Sequence, residues 1–355
     1  MNKLSSKHYM FFILGTCMIA LRSYSSVFVR LGGRDTWIIS FFASLILLLY
    51  VLYLFKICKS TDTYDMNIII SSALPKWCSI PFKFIFSLGL FLTAVESASV
   101  EASSIHTNYF LSTPTWYCLL FLIIPATYVL SKKFNAILIL IILTVCITLL
   151  GDVALISLVA KYLDFSHLLP ILNGGMSSNK WSCLLLLLGS LSSVAIAFPY
   201  LKFLDKKKGF ITDSVLALII CCILIVTSFI SIITFFGPER AGNIFYPEFV
   251  ESQRVQIANF FEFGEIFYIF RSVCMWFIKY ILSSYGILLL YKDKIKNKKV
   301  FIFCYSIIIF ISSWYMTLNQ YYLFSLLKLL QLFLLVPFIL IPLISFSLYK
   351  LKKVK

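Results

Sequence analysis

Apolar stretches long enough to cross a lipid bilayer follow one another along almost the whole chain. An α-helix needs about 20 apolar residues to cross the hydrocarbon core. On that criterion the sequence predicts ten transmembrane helices, at residues 9–29, 36–55, 80–108, 115–131, 134–160, 181–201, 211–236, 264–291, 300–318 and 328–349. Only 13% of the 355 residues are charged, against about 25% in soluble domains. We therefore expect an all-α integral membrane protein with a single membrane domain, residues 1–355, embedded in the lipid bilayer.

Basic residues are distributed unevenly between the two sides of this predicted bundle. Lysines cluster in the segments on the N-terminal side, at residues 3–7, 56–76, 132–133, 202–208, 292–299 and 350–355. The opposite side carries Arg30, Arg34, Lys161, Lys180, Arg240 and Arg254. Because positive charge accumulates in cytoplasmic loops, both termini are predicted to be cytoplasmic. The net charge of +16 is thus a topology signal, and no nucleic-acid partner is expected.

The predicted spans divide into two sets of five around the segment 161–180. An odd number of spans per half means that the second half enters the membrane from the opposite side. The longest connection in each half joins its second and third spans, at residues 56–79 and 237–263. We therefore expect an inverted repeat, with residues 9–160 as the first five-helix unit and residues 181–350 as the second.

The first span of each half is interrupted by small and polar residues. Span 1 contains GTCMIALRSYSS at residues 15–26, and span 6 contains GSLSSVAIAFP at residues 189–199. Interrupted segments at matching positions of two halves indicate a transporter-type site, where free backbone groups meet a small ligand. The alternative is that the small residues only allow helices to pack closely.

Several charged residues lie within the predicted spans, where an unpaired charge costs at least about 2.5–3.5 kcal/mol. With about 1.5 Å of rise per residue, Arg22, Glu96, Asp152 and Arg271 are each expected roughly 10 Å below the outer surface. They would form a polar layer of two bases and two acids. This layer either fixes helix register through ion pairs, or gates an outward-facing vestibule. Glu101 is expected to be interfacial.

Lys279 lies deeper in span 8 and is followed by Ser283 and Ser284. Its ammonium could occupy the place that a sodium ion takes in related transporters, or could titrate with a lowered pKa. Alternatively, it could be bonded to the carbonyl groups of a broken neighbouring helix.

Motifs for catalysis and for metal or cofactor binding do not appear in the sequence. It contains no GxxxxGK[ST], GxGxxG or HExxH motif. Its ten cysteines form no CxxC pair and are typical of small buried residues. Enzymatic activity, a metal site and a cofactor are therefore not expected.

Four further motifs carry a family resemblance. They are GGRDTWI (32–38), HLLPILNGG (167–175), FPYL (198–201) and the pair FFEFGEIFYIF and FIKY within residues 260–280. Their order resembles the B subunit of spore germinant receptors, a branch of the amino acid–polyamine–organocation transporter superfamily. The resemblance implies a LeuT-like fold of ten helices, in which helices 1 and 6 are broken, and a location in the spore inner membrane.

The resemblance also implies a site and partners. The ligand site would use Gly15 and Thr16 of span 1 and Gly189, Ser190, Ser192 and Ser193 of span 6. Partners would be A-type and C-type receptor subunits and a small germinant, an amino acid being the expected class. Arg22 departs from the family pattern, which commonly has proline after leucine here.

Three functions remain open at this point. The first is a receptor subunit that binds a nutrient and signals germination. The second is an amino acid permease, proton-coupled through Glu96 or Lys279. The third is an ion or water conduit with the polar layer as its gate.

Overall fold

A computed structural model describes residues 4–172, 175–206, 209–255 and 264–354 of the chain. Parts of two of the motifs above, residues 173–174 and 260–263, lie outside the described residues. The same holds for Lys3, Lys207, Lys208 and Lys355, which contributed to the topology prediction.

The described residues are almost entirely helical. The first half contains β1 (Leu4–Ser5), α1 (Ser6–Cys17), α2 (Ile19–Ser23), α3 (Ser26–Gly32), α4 (Thr36–Thr61), α5 (Met66–Ala73), α6 (Lys76–Asn108), α7 (Thr115–Ser131) and α8 (Phe134–Val159), with 3-10 turns at Gly33–Asp35, Ala160–Tyr162 and Phe165–Leu168. The second half contains α9 (Ser178–Leu191), a 3-10 helix (Ser192–Phe203), β2 (Leu204–Lys206), α10 (Phe210–Phe236), α11 (Pro238–Asn243), α12 (Pro247–Gln253), α13 (Gly264–Leu290), α14 (Lys298–Thr317), α15 (Gln320–Leu335), a π-helical turn (Val336–Leu340) and α16 (Ile341–Val354).

Among the described residues, eight helical segments are long and apolar enough to cross a membrane. The prediction of an all-helical membrane protein is confirmed. The other two of the ten predicted spans coincide with the interrupted series α1 to α3 and with α7, which has 17 residues. Within the described ranges, the one addition to an all-α architecture is a two-stranded parallel ladder, in which Leu4 of β1 pairs with Leu204 of β2.

The first predicted span is interrupted twice. Helix α1 ends at Cys17, α2 begins at Ile19, and Tyr24 and Ser25 separate α2 from α3. The Thr16 hydroxyl donates to the carbonyls of Phe12 and Ile13, at 3.1 and 3.2 Å. Such local bonds from threonine compete with the regular backbone ladder, which favours a break at this point.

The sixth predicted span changes geometry at Ser192, where α9 gives way to a 3-10 helix. The Ser192 and Ser193 hydroxyls donate to the carbonyls of Gly189 and Ser190 in the preceding turn, at 2.5 and 2.7 Å. The Ser193 hydroxyl also lies 2.9 Å from the Thr16 carbonyl oxygen, to which it donates. This bond joins the interrupted part of span 1 to the interrupted part of span 6.

Aromatic side chains fill the space between the Thr16–Ser193 bond and the β1–β2 ladder. Their rings pack against one another and belong to Tyr9, Phe12, Phe134, Tyr200 and Tyr285. The Tyr9 hydroxyl donates to the Ala197 carbonyl at 3.0 Å, and the Tyr200 hydroxyl donates to the Leu282 carbonyl at 2.6 Å. These contacts form a packed aromatic layer at this end of the bundle.

Two of the glycines in the interrupted segments lie against neighbouring helices. A Cβ atom added at Gly189 would come within 2.0 Å of the Gln331 carbonyl oxygen on α15. A Cβ atom added at Gly15 would come within 2.8 Å of the Ile278 side chain on α13. Close packing against the α15 backbone thus accounts for Gly189, and close packing against the Ile278 side chain accounts for Gly15. The contact of either glycine with a ligand stays a prediction.

We expect Gly189→Ala to destabilise the protein by about 1–3 kcal/mol, because its methyl group would overlap backbone atoms of α15. Gly151→Ala in α8 is the matched control, since a Cβ atom there meets nothing within 4 Å. The melting temperatures of the two purified variants in detergent measure the difference. Equal melting temperatures would contradict the close approach of α9 and α15.

Candidate functional site

A buried group of polar side chains lies beside the interruption of span 1, and we call it the Lys279 cluster: Tyr24, Glu96, Lys279 and Gln331. The Lys279 ammonium lies 2.9 Å from a Glu96 carboxylate oxygen. The Tyr24 hydroxyl donates to the other oxygen of the same carboxylate. The Gln331 amide donates to that oxygen at 3.1 Å and to the Tyr24 hydroxyl at 2.8 Å. The Glu96 carboxylate therefore accepts hydrogen bonds from three other segments of the chain.

Each member of the Lys279 cluster comes from a different structural element. Tyr24 lies in the gap between α2 and α3, Glu96 in α6, Lys279 in α13 and Gln331 in α15. The side chain of Trp276, one turn before Lys279, lies under the ammonium at 5.0 Å, and its indole N–H donates to Ser23 at 3.0 Å. The cluster fixes the interrupted segment of span 1 against three continuous helices.

The structure corrects the predicted position of Glu96, which belongs to the Lys279 cluster and not to the layer of Arg22, Asp152 and Arg271. Its expected depth assumed that span 3 leaves the hydrocarbon core near residue 102, about six residues beyond Glu96. The contact with Lys279 places Glu96 instead at the deeper level of Lys279. Lys279 bonds to this carboxylate. The alternative, that it bonds to the carbonyl groups of a broken neighbouring helix, is not what the structure shows.

The second buried group, which we call the two-arginine cluster, comprises Arg22, Asp152, Glu248 and Arg271. Asp152 lies 2.8 Å from the Arg22 guanidinium and 3.3 Å from that of Arg271. Glu248 bonds to Arg22 at 3.1 Å and also pairs with Arg271. Each base thus contacts both acids, and the four charges compensate one another away from water.

Sequence reasoning missed Glu248 because it belongs to α12, in the connection 237–263, and not to a predicted span. The numbers of intramembrane bases and acids indicated that an acid was missing. Once Glu101 is set aside as interfacial, Arg22, Arg271 and Lys279 face only two intramembrane acids. A third buried acid was therefore needed. It comes from α12, a short helix that lies between spans 7 and 8 and folds inward.

Glu101 is also buried inside the protein, with 1% of its surface exposed. The Ser272 hydroxyl on α13 donates to its carboxyl group at 2.7 Å. Its interfacial depth in the membrane stays a prediction.

Helix α12 contributes a second buried acid, Glu251, whose carboxyl group accepts a hydrogen bond from Ser231 of α10. Burial raises the pKa of Glu251 to about 8, and the charge of Glu248 acts in the same direction. The Ser231 bond and the two arginines oppose this shift. For Glu248 itself, the arginines outweigh burial and hold the pKa of the carboxyl group below its ordinary value. Helix α12 therefore carries one charged and one readily protonated carboxyl group.

A cavity of about 330 Å³ lies between α3, α11 and α15. Arg30 and Lys328 line it together with Ser26, Phe245 and Phe324. The Phe324 ring also packs edge-on against Tyr24, with 6.4 Å between ring centroids. One wall of the cavity is therefore in direct contact with the Lys279 cluster.

Two of the predicted ligand residues, Gly189 and Ser190, border the Lys279 cluster. Ser190 and Ser193 are buried, and Ser190 faces the Tyr24 hydroxyl. Thr16 and Ser193 meet through the bond described above, while Ser192 bonds within its own segment. In the described residues, no group of three or more His, Cys, Asp and Glu side chains could hold a metal ion.

Comparison with known proteins identifies the family. A sequence model described as "Spore germination protein", of the spore permease family, matches residues 5–321. The chain belongs to this spore germination family. Its family and fold are those of transporter-type membrane proteins and not of enzymes. A search of curated protein sequences gave no match.

A Na+-coupled sialic acid symporter, in its substrate-bound outward-open state, is structurally similar to this member of the spore germination family. The TM-score is 0.62 at 10% sequence identity, and the similarity covers 95% of this chain and 79% of the symporter. At this identity the comparison shows the fold alone. The LeuT-type fold implied by the sequence resemblance is thereby supported.

We expect the protein to lose stability as the pH rises from about 5 to 8, because the folded state binds the Glu251 proton more tightly than the unfolded state. This contribution is fully present below the ordinary carboxyl pKa of 4.5 and is lost as the pH passes about 8. Melting temperatures across this range should fall less steeply in Glu251→Gln than in the natural protein. Glu239→Gln, an exposed position on α11, should keep the natural slope, and an unchanged slope in Glu251→Gln would refute the assignment.

Proposed function

We propose that the chain is the membrane subunit of a spore germinant receptor, which binds a small nutrient and passes a conformational signal to A-type and C-type subunits. Membership of the spore germination family supports the role in germination. The proposed location is the spore inner membrane, with both termini in the cytoplasm, as the lysine distribution indicates. An amino acid is the proposed class of nutrient.

The proposed architecture is a ten-span, five-plus-five inverted repeat. It counts α1 to α3 as a broken first span and α7 as a short fourth span beside the eight longer segments. Two observations support it: the first and sixth spans both change geometry, at Cys17–Ser26 and at Ser192, and the similarity to a symporter covers 95% of the chain. In this arrangement the two-arginine cluster lies on the outer side of the Lys279 cluster.

The proposed nutrient site lies where the interrupted segments meet, between Thr16, Ser190 and Ser193. A carboxylate and an ammonium group on one small molecule would complement the backbone groups that the interruptions release. The cavity bordered by Phe324 is the proposed outer route to it. Binding biases the receptor only if the nutrient prefers one arrangement of the interrupted segments, and the Ser193–Thr16 bond is the contact that such a change would alter first.

The Lys279–Glu96 ion pair is the observation that favours a receptor over a sodium-driven transporter. The structurally similar protein is Na+-coupled, whereas in this chain the Lys279 ammonium on span 8 lies 2.9 Å from the buried Glu96 carboxylate on span 3. These residues do not fit a sodium ion, because the ammonium already supplies the positive charge beside this carboxylate. We propose that the ammonium acts as a permanent internal cation, so that nutrient binding needs no ion from outside.

The first test is the germination of spores that lack this gene, with single amino acids, nucleosides and sugars as triggers. The receptor proposal predicts that the response to one class of nutrient is lost, while germination by other triggers is intact. An unchanged response, together with nutrient uptake by vesicles containing the protein, would favour a permease instead.

A point variant tests the proposed site within the receptor. We expect Ser193→Ala to shift the nutrient concentration for half-maximal germination by about fivefold, since one cross-segment hydrogen bond contributes about 1 kcal/mol. Ser131→Ala is the control, because Ser131 is an exposed serine that bonds only within α7. If both variants respond like the natural protein while present at equal amounts in the membrane, the interrupted segments are not the nutrient site.

A further inference from the structure

A second cavity, of about 340 Å³, lies at the end of the bundle where the lysines are concentrated. It is formed by the end of the 3-10 helix 192–203, the end of α13 and the beginning of α14. Three lysines surround it, and the rest of its lining is aromatic or aliphatic: Lys202, Lys292 and Lys298, with Phe203, Tyr285, Leu288, Leu289 and Ile295. The cavity is separate from the Lys279 cluster and from the proposed nutrient site, and plays no part in the function proposed above.

Contacts with the protein hold two of these ammonium groups in place. Lys202 donates to the Leu289 carbonyl at 3.2 Å and lies 5.5 Å from the centre of the Phe203 ring. Lys298 donates to the Lys132 carbonyl at 3.2 Å and lies 5.5 Å from the centre of the Tyr285 ring. An ammonium group has three donors, so each lysine retains donors for a further acceptor. The site is thus prearranged for an anion.

The described residues that line the cavity carry three positive charges and no negative one. Asp65 and Asp293 lie close enough to act on Lys202, but neither belongs to the cavity lining. The three lysines therefore meet no carboxylate among the described lining residues, and like charges that converge on one space repel one another. An anion placed between them would relieve this repulsion and gain several charge-assisted hydrogen bonds.

We propose that this cavity binds the phosphate headgroup of an anionic phospholipid, with the glycerol and upper acyl chain against Phe203, Leu288 and Leu289. Its position favours a lipid over other phosphate-bearing molecules, because it opens where α13 ends and α14 begins, the level of the membrane interface. Basic pockets between helices commonly take anionic headgroups. A bound lipid would tie together the ends of spans 6 and 8, the two spans that carry Ser193 and Lys279.

The test compares two charge-matched double variants of the full chain. Lys292→Gln with Lys298→Gln removes two lysines of the cavity, and Lys294→Gln with Lys296→Gln removes two lysines of the same connection that do not line it. Retention of phosphatidylglycerol by the detergent-purified proteins is measured by native mass spectrometry during titration, with phosphatidylcholine as the uncharged reference. Each lysine that donates a charge-assisted hydrogen bond to the phosphate contributes a factor of about ten, so the cavity pair should weaken retention about 100-fold.

We expect the control pair to weaken retention only a few-fold, and Lys292→Arg with Lys298→Arg to retain it, since the charge is kept. The melting temperature in phosphatidylcholine verifies that all variants are folded; both altered cavity lysines are exposed. Equal losses in the two Gln pairs would overturn the proposal, because they indicate general surface attraction. So would equal retention of the two lipids by the natural protein.

Soluble phosphate distinguishes a lipid from a free phosphate ester. Glycerol phosphate, added at millimolar concentration, should not displace phosphatidylglycerol, because it lacks the acyl chain that packs on the apolar wall. Displacement at that concentration would overturn the assignment to a lipid.

Discussion

The Lys279–Glu96 ion pair is the interaction on which the interior of this protein depends. A charged group buried in a membrane protein is costly unless a partner and further hydrogen bonds compensate it. Here the carboxylate receives donors from Lys279, Tyr24 and Gln331, and one of these, Tyr24, lies in the interruption of span 1. The pair therefore does more than neutralise a charge: it holds the broken segment in place against α6, α13 and α15.

The two buried clusters divide the interior into levels with different connections. The two-arginine cluster ties α12, a short helix outside the spans, to α2, α8 and α13 through Glu248 and Asp152. The Lys279 cluster lies deeper and touches the segments where a nutrient site is proposed. Since α13 carries both Arg271 and Lys279, a displacement of this helix would change both clusters at once. An arrangement of this kind suits a protein that converts ligand binding into a conformational change at its surface.

Much of this architecture could be predicted from the sequence. The apolar runs predicted a helical membrane protein, and the serines of spans 1 and 6 marked the segments whose geometry changes. The grouping of Arg22, Asp152 and Arg271 followed from their depth alone. These features depend on local composition and on helix length, which a single sequence displays directly.

Other features depend on packing between distant segments, and here the sequence was insufficient. Glu96 was assigned to the layer of Arg22, Asp152 and Arg271 because its depth was counted from a membrane boundary near residue 102. Its actual partner, Lys279, lies on a helix that is distant in the sequence. Glu248 was missed because nothing in its own segment shows that α12 folds inward. The packing of Gly189 against the backbone of α15 likewise requires knowledge of which helices are neighbours.

One measurement tests directly whether Lys279 supplies the positive charge in the interior. The melting temperature of the purified protein is compared in sodium chloride and in choline chloride at equal ionic strength. A resident ammonium predicts the same melting temperature in both salts, within about 1 °C, because no sodium ion binds to the folded state. A rise of several degrees in sodium that saturates with concentration would contradict it, since it would reveal a sodium site in the folded protein.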